Sequence, residues 1–252
     1  MEAIPILEQA RPEFGRIARD KSLMQEHIRV AIRPLSPRQA IGTPTRQDFP
    51  LLTGKEVIVE AEFRESYGQA FTDQPQVFDG SLQDVLELPL NESGNRAIFL
   101  STLNAVTSHL GMADRVRHCK DEEPEKCAAE IANELLRRFG QASIGMIGYQ
   151  PAILENLVKV FGVAKVRCSD LNPNNIGTVK YGCRIDNGKT DNLDLIRTSG
   201  VILVTSSTLT NNTLDTLYRV ASLAGKPVIM FGITGAGVAA LLDLERLCFY
   251  GH

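Results

Sequence analysis

The chain lacks the features that mark membrane-spanning, secreted and nucleic-acid-binding proteins. No apolar stretch approaches the ~18–20 residues of a membrane span, and the start, MEAIPILEQARPEFGR, does not have the basic-then-apolar order of a signal peptide. The net charge is -3 and the pI is ≈ 5.9, so there is no basic excess to attract nucleic acid. We therefore predict a cytoplasmic protein that binds neither nucleic acid nor a membrane.

Cysteine is sparse, and its spacing is not typical of a domain stabilised by disulfide bonds. The 252 residues contain 5 cysteines, an odd and widely spaced set, which argues against a disulfide framework. We expect reduced thiols. A zinc site usually draws four ligands from closely spaced pairs, and no such second pair accompanies Cys119 and Cys127.

Several motifs of known chemistry are also missing. The sequence has no Walker loop, no H-E-x-x-H and no Ser-His-Asp order. Gly148 is followed by Tyr149, Gln150 and Pro151, so there is no G-x-G-x-x-G fingerprint for a dinucleotide pyrophosphate. The sequence therefore does not identify a catalytic residue.

The composition is that of an ordinary globular protein whose two halves differ in texture. Apolar residues make up 43% and charged residues 23%, and this length suits one large or two modest domains. Strand and helix patterns come in separate blocks before Gly140 and alternate after it. We predict an α+β domain over residues 1–140 and a Rossmann-like α/β domain with a mainly parallel sheet over residues 141–252, joined within 138–144.

The predicted elements follow from hydrophobic periodicity. In the first half the patterns indicate helices over 13–28, 95–110 and 125–139, and strands over 28–32, 55–63 and 68–72. In the second half they indicate strands over 143–147, 164–168, 201–205, 227–231 and 247–250, and helices over 151–161, 211–223 and 238–244. Short apolar strands alternating with helices are typical of a parallel sheet covered on both faces.

Ligands of such sheets bind beyond the carboxyl ends of the strands, and four polar runs occur there. The candidate ligand-binding residues in these runs are Gly148, Gln150, Asp170, Asn172, Ser206, Ser207, Thr208, Asn211 and Thr234. Asp170 can accept hydrogen bonds from ribose hydroxyls, or it can simply cap a turn. The run SSTLTNNT before the helix predicted at 211–223 suits a polar or anionic ligand, although N-capping by Thr210 or Asn211 is the alternative.

The opposing wall of the predicted cleft comes from the first half. Its candidate residues are Thr72, Asp73 and Asn104, although Thr72 and Asp73 can also form a turn and Asn104 can cap a neighbouring loop. The SSTLTNNT run has no cation, which favours a ligand with hydroxyls or one delocalised negative charge over a triphosphate.

His118 and Cys119 are the candidate metal ligands. Imidazole and thiolate are soft donors, and the neighbouring cations can lower the pKa of the Cys119 thiol. The alternative is that the cysteines are structural thiols, since a buried free cysteine behaves as a small apolar residue.

Together these residues resemble a known family. The block Gly148-Tyr149-Gln150-Pro151, the block Asp170-Leu171-Asn172 and the segment VILVTSSTLTNNTLDTL at 201–217 are similar to the C-terminal domain of the heavy-metal chelation family. The strand KEVIVEAEF, GQAFTD and the helix containing LNAV resemble the enolase-N-terminal-like domain that often precedes it. At two positions where this family typically has glycine, this chain has Ser206 and Asn212 instead. The resemblance implies a site between the two domains.

Three functions stay open at this point. The first is binding of a small polar or anionic ligand, or a transition metal ion or its complex, in the interdomain cleft. The second is a transferase-like enzyme that uses an adenosine-containing cofactor such as S-adenosylmethionine. The third is a non-catalytic partner in metalloenzyme maturation. The expected partner is a small molecule or a metal, and a homodimer is one of the open oligomeric states.

Overall fold

The computed structural model describes residues 4–30, 35–53 and 57–252. In the first half of these ranges, the elements are α1 (Ile6–Asp20), β1 (His27–Val30), α2 (Pro37–Ile41), α3 (Pro50–Thr53), β2 (Val57–Phe63), β3 (Ser66–Thr72), β4 (Phe78–Ser81), α4 (Leu82–Glu87), α5 (Ser93–His109) and α6 (Glu123–Phe139). The strands of these described residues form an antiparallel sheet in the order β3-β2-β1-β4. Helix α5 lies across β2 and β3.

The second half alternates between strands and helices. Its elements are β5 (Ile144–Ile147), α7 (Pro151–Phe161), β6 (Val166–Asp170), β7 (Val179–Lys180), β8 (Cys183–Asn187), α8 (Asn192–Thr198), β9 (Val201–Thr205), α9 (Leu214–Leu223), β10 (Val228–Phe231), α10 (Ala236–Leu242) and β11 (Arg246–Leu247). The sheet order is β11-β10-β9-β5-β6-β8-β7, parallel except for the β7–β8 pair. The prediction of a mostly parallel sheet is confirmed.

Both faces of this second sheet are buried. In β9, Val201 and Leu203 pack in the cluster that includes α6 and α7, whereas Ile202 and Val204 pack in the cluster that includes α8, α9 and α10. Successive side chains of a strand point to opposite faces, so a continuous apolar run such as VILVT is what a doubly covered sheet requires.

The structure corrects several predicted element bounds. The first helix is α1 and not residues 13–28: it ends at Asp20, and Ser22 has a φ of +58°, which ends the helical path. The helix predicted from residue 211 begins at Leu214. The sequence patterns missed α3, β4, β7, β8 and α8, which are short. Residues 31 and 32 of one predicted strand and residues 55 and 56 of another lie outside the described residues.

Helix α6 belongs by its packing with the second sheet. Its residues Cys127, Ile131 and Leu135 share a buried cluster with Ile144 and Met146 of β5, and it also packs against α7. The sequence pattern assigned this helix to the first domain. None of the described helices combines the length and the apolar character needed to cross a membrane.

Candidate functional site

A cavity of ≈ 970 Å³ lies at the carboxyl ends of the strands of the seven-stranded sheet. Part of its wall comes from the first half, including Phe49, Phe71 and Asp73. Most of the predicted site residues line it: Gly148, Gln150, Asp170, Asn172, Ser206, Ser207, Thr208, Asn211, Asp73, His118 and Cys119. The tertiary structure therefore brings together residues that are distant in the sequence.

Gly148 forms a turn that disfavours any residue with a Cβ atom. Its φ is +93°, and a Cβ built on it lies 2.3 Å from Thr205 Cγ2 on the neighbouring strand β9. Glycine avoids both the backbone strain and the collision. The next residues start α7, where the side-chain oxygen of Gln150 accepts the backbone N–H of Ile153 at 2.6 Å. Gln150 is therefore a helix cap as well as a wall residue.

Asp170 connects two strand ends. Its Oδ2 accepts the backbone N–H of Tyr149 at 2.7 Å, and its Oδ1 accepts the backbone N–H of Asn172 at 2.6 Å. Burial raises the pKa of the Asp170 carboxyl, and these hydrogen bonds oppose the rise. Asn172 in turn accepts the N–H of Asn174. A carboxylate oxygen has more than one lone pair, so Asp170 can bind a ligand hydroxyl in addition.

The loop after β9 is a short 3-10 turn at Ser206–Thr208 and not the start of a helix. The hydroxyl of Thr208 donates to Thr205 O at 2.6 Å, and the hydroxyls of Ser207 and Thr205 lie 2.8 Å apart. By contrast, the Ser206 hydroxyl and the Asn211 amide side chain have no hydrogen-bond partner among the described residues. Both line the cavity.

Two further features stabilise this loop. The buried guanidinium of Arg96 on α5 donates to Thr210 O at 2.6 Å and to Leu90 O at 2.8 Å. Asn212 has a φ of +57°, a conformation that favours glycine and that asparagine tolerates. This explains how asparagine can replace glycine there.

Lys189 is a wall residue that the sequence patterns missed. It lies in the turn after β8 with Gly188 and Thr190, at the same edge of the sheet. Its ammonium group makes no ion pair with the described residues. The sequence does contain a pattern that could have identified this strand and its turn. Cys183 and Ile185 alternate with polar residues, as in a strand, and a polar Asn-Gly-Lys-Thr run follows. The wall thus carries one lysine with the carboxylates of Asp73 and Asp170.

Three predicted residues lie outside the cavity wall. Thr72 is buried with its hydroxyl 3.2 Å from that of Ser93, since strand alternation turns Phe71 and Asp73 to the cavity and Thr72 away. The Thr234 hydroxyl accepts the N–H of Phe71 at 3.1 Å.

Asn104 is the third of these, and its amide is fully used. Its Nδ2 lies 2.8 Å from Gln69 O, 3.1 Å from Ile233 O and 3.2 Å from Thr234 O, and its Oδ1 accepts the N–H of Gly237 at 2.7 Å. Asn104 therefore joins α5 to the first sheet and to the loop after β10. This is the loop-capping role that the sequence left open as the alternative to ligand binding.

The cavity also has a thiol-bearing wall. Cys119, Cys127 and Cys248 line it together with His118. Burial raises the pKa of Cys119 to about 12 and lowers the pKa of His118 to about 4, so neighbouring cations do not activate Cys119 as expected. The interaction between Cys127 and Cys248 lowers the pKa of Cys248 and raises that of Cys127. No group of three His, Cys, Asp or Glu side chains in the described ranges is arranged to hold a metal ion.

Comparisons with known proteins point to a family. Residues 132–244 match the model of the DUF364 family, described as "Putative heavy-metal chelation", which confirms the resemblance over that segment. A DUF364 protein of unknown function from Pyrococcus horikoshii is similar in structure, with a TM-score of 0.51 and 16% identity over 90% of this chain and 80% of that chain. At this identity the similarity concerns the fold alone.

A second DUF364 protein of unknown function, from Desulfitobacterium hafniense DCB-2, matches with a TM-score of 0.49 and 12% identity over 74% of this chain and 72% of that chain. No curated protein matches the chain.

Proposed function

Because residues 132–244 match the DUF364 family, we propose that the cavity at the strand ends binds a small, oxygen-rich ligand. One observation carries the proposal: the Ser206 hydroxyl, the Asn211 amide and the Lys189 ammonium line one cavity and have no partner among the described residues. Polar groups of this kind fix the orientation of ligands in pockets. The predicted contacts of Gly148, Gln150, Asp170, Asn172, Ser207, Thr208 and Asp73 are part of this proposal.

The charges of the wall define the class of ligand. Lys189 offers one positive charge, whereas Asp73 and Asp170 add two carboxylates, so a triphosphate would meet net repulsion. A ligand with several hydroxyls and a single carboxylate or phosphate matches the wall better. Apolar residues such as Phe49, Phe71 and Ile131 cover the rest of the cavity and suit a carbon skeleton.

A transferase that uses S-adenosylmethionine is the second candidate. The observation that favours it is Asp170, whose carboxylate lines the cavity at the end of β6, next to the turn of Gly148. An acidic residue at such a position can bind ribose hydroxyls in Rossmann-like domains. Under this proposal the second unit is Rossmann-like, the first is enolase-like, and the chain divides near residues 138–144, with α6 packed on the second unit.

The family description also names heavy metals. The metal-ligating side chains that line the cavity suit some heavy-metal ions and not others. With no three-ligand group among the described residues, a tetrahedral zinc site has too few ligands. Thiols are present, however, and thiols select soft ions. A metal carried here is therefore a soft ion or the centre of an organic complex, and His118 with Cys119 stays a candidate ligand pair.

Thermal shift with defined probes tests the proposal. Gluconate, glucose 6-phosphate, S-adenosylmethionine and adenosine triphosphate are added separately, since a ligand of the native state raises the Tm by linkage. We expect a monophosphate or carboxylate probe to raise the Tm, and Lys189→Ala to weaken its binding by about 10–100-fold, as the loss of a charged hydrogen bond of about 1.5–3 kcal/mol implies. Lys226→Ala, at a lysine outside the wall, is the control.

Each outcome discriminates between the candidates. A shift with S-adenosylmethionine that Asp170→Ala abolishes favours the transferase. A shift that Lys226→Ala weakens as much as Lys189→Ala does contradicts binding in this cavity. If no probe shifts the Tm, the oxygen-rich-ligand proposal fails and the docking role in metalloenzyme maturation takes its place.

A further inference from the structure

Three of the five cysteines line the same cavity, at a wall separate from the polar loops. Cys119, Cys127 and Cys248 are each 8% exposed and all border the cavity. Cys168 and Cys183 are buried in the sheet and do not border it. The oxygen-rich-ligand proposal uses none of the three wall thiols, so they need a separate account.

Cys127 and Cys248 are a pair built by the tertiary fold. Cys127 lies on α6 and Cys248 follows β11. The backbone N–H of Phe249 donates to Cys127 Sγ at 3.4 Å, which holds α6 against the segment that carries Cys248. Cys248 immediately precedes Phe249, so this contact brings the Cys127 thiol to the segment that carries the second thiol, and both residues border the cavity.

Arg246 supplies a matching charge beside this pair. Its guanidinium group donates to Gly232 O at 3.2 Å and to Asp114 O at 2.9 Å, which fixes it in place, and its positive charge acts on Cys248. Two thiolates with one monovalent cation carry a net charge of minus one, which Arg246 offsets in part, since its guanidinium also lies 3.6 Å from Asp114 Oδ1. A buried charge needs such a partner.

We propose that Cys127 and Cys248 form a two-thiolate site for a soft monovalent metal ion, for which Cu(I) is the probe. Soft sulfur ligands select Cu(I), and this ion accepts two sulfur ligands, so the lack of a three-ligand group is no obstacle. On binding, each thiol releases its proton to water and two S–Cu bonds form, with no change in oxidation state. This proposal deepens the proposed function. It rests on that function in one respect only, which is that the cavity admits a ligand.

The test is an anaerobic titration of the reduced protein with the coloured Cu(I) complex of bicinchoninate. We expect the wild-type chain to withdraw one Cu(I), and Cys127→Ala and Cys248→Ala to lose at least tenfold in affinity. Cys168→Ala and Cys183→Ala are the matched controls, since they remove thiols outside the wall, and both should bind as the wild type does. Lys189→Ala should also bind Cu(I) normally, which separates this site from the oxygen-rich-ligand site.

A second measurement needs no substitution. The wild-type protein is alkylated with iodoacetamide with and without Cu(I), and mass spectrometry gives the extent at each cysteine. Protection of Cys127 and Cys248 together supports the proposal. Failure of the wild type to withdraw Cu(I), equal loss in Cys183→Ala, or protection of Cys119 in place of Cys248 overturns it, and none of these results bears on the polar loops.

Discussion

Asp170 Oδ2 accepts the backbone N–H of Tyr149 at 2.7 Å, a contact that joins the ends of β6 and β5 across the floor of the cavity. The same carboxylate accepts the N–H of Asn172. A side chain expected to bind ligand thus also holds the two loops that form the wall. Substitutions of Asp170 will therefore affect stability as well as binding.

Asp170→Asn should lower the free energy of unfolding by about 1–3 kcal/mol, because the amide has one acceptor oxygen for two backbone donors. The raised pKa of Asp170 gives a pH signature. A carboxyl with a raised folded-state pKa contributes most stability at low pH and loses it as pH rises through the folded pKa. Urea unfolding of both proteins should therefore show a stability difference that is largest in acid and smaller at pH 7. A difference that grows with pH would contradict this assignment.

His118 should make the protein acid-sensitive. Burial lowers its folded-state pKa to about 4, from 6.5 for a free side chain, so its contribution is complete above pH 6.5 and is lost as pH falls towards 4. Urea unfolding should show a steeper loss of stability across this interval in the wild type than in His118→Gln. Parallel pH profiles for the two proteins would contradict this prediction, because they would mean that folding does not change the pKa of His118.

Gly148→Ala should be strongly destabilising. The new methyl group would lie 2.3 Å from Thr205 Cγ2 at a φ of +93°, and we expect a cost of about 2–5 kcal/mol from strain and overpacking. Gly225→Ala is the control, because its φ is +62° and nothing lies within 4 Å of the position that its Cβ would take; backbone strain alone gives about 1–2 kcal/mol. Equal urea midpoints for the two variants would contradict the predicted collision.

Asn104→Ala should reduce stability by at least about 3 kcal/mol, since it leaves several buried backbone groups without partners. Asn95→Ala on the same helix removes one hydrogen bond, from the exposed amide to Pro89 O, and should cost no more than about 1 kcal/mol. Thermal and urea unfolding measure both. If Asn104→Ala keeps wild-type stability but loses affinity for the probe that binds, Asn104 contacts the ligand after all.

The sequence by itself determined which segments are buried strands and which loops follow them. The run VILVT has no polar residue to expose, so it had to be a strand covered on both faces, and the polar residues after it had to lie at the carboxyl edge. The same logic identified Gly148, Asp170 and Ser206. It failed at β8, where alternation over five residues was too short to stand out, and Lys189 was lost with it.

Only the tertiary structure decided which side chains share the cavity. Strand alternation is local, but the direction of Thr72 depends on which face of its sheet α5 covers. The partners of the Asn104 amide lie 35 residues away, at Gln69, and 129 to 133 residues away, in the segment from Ile233 to Gly237. Cys127 and Cys248 have no shared sequence signal, because packing of α6 against the chain after β11 brings them together. Contacts between distant segments bring such pairs together. Hydrophobic periodicity, by contrast, indicates only whether each residue is buried and not which residue it contacts.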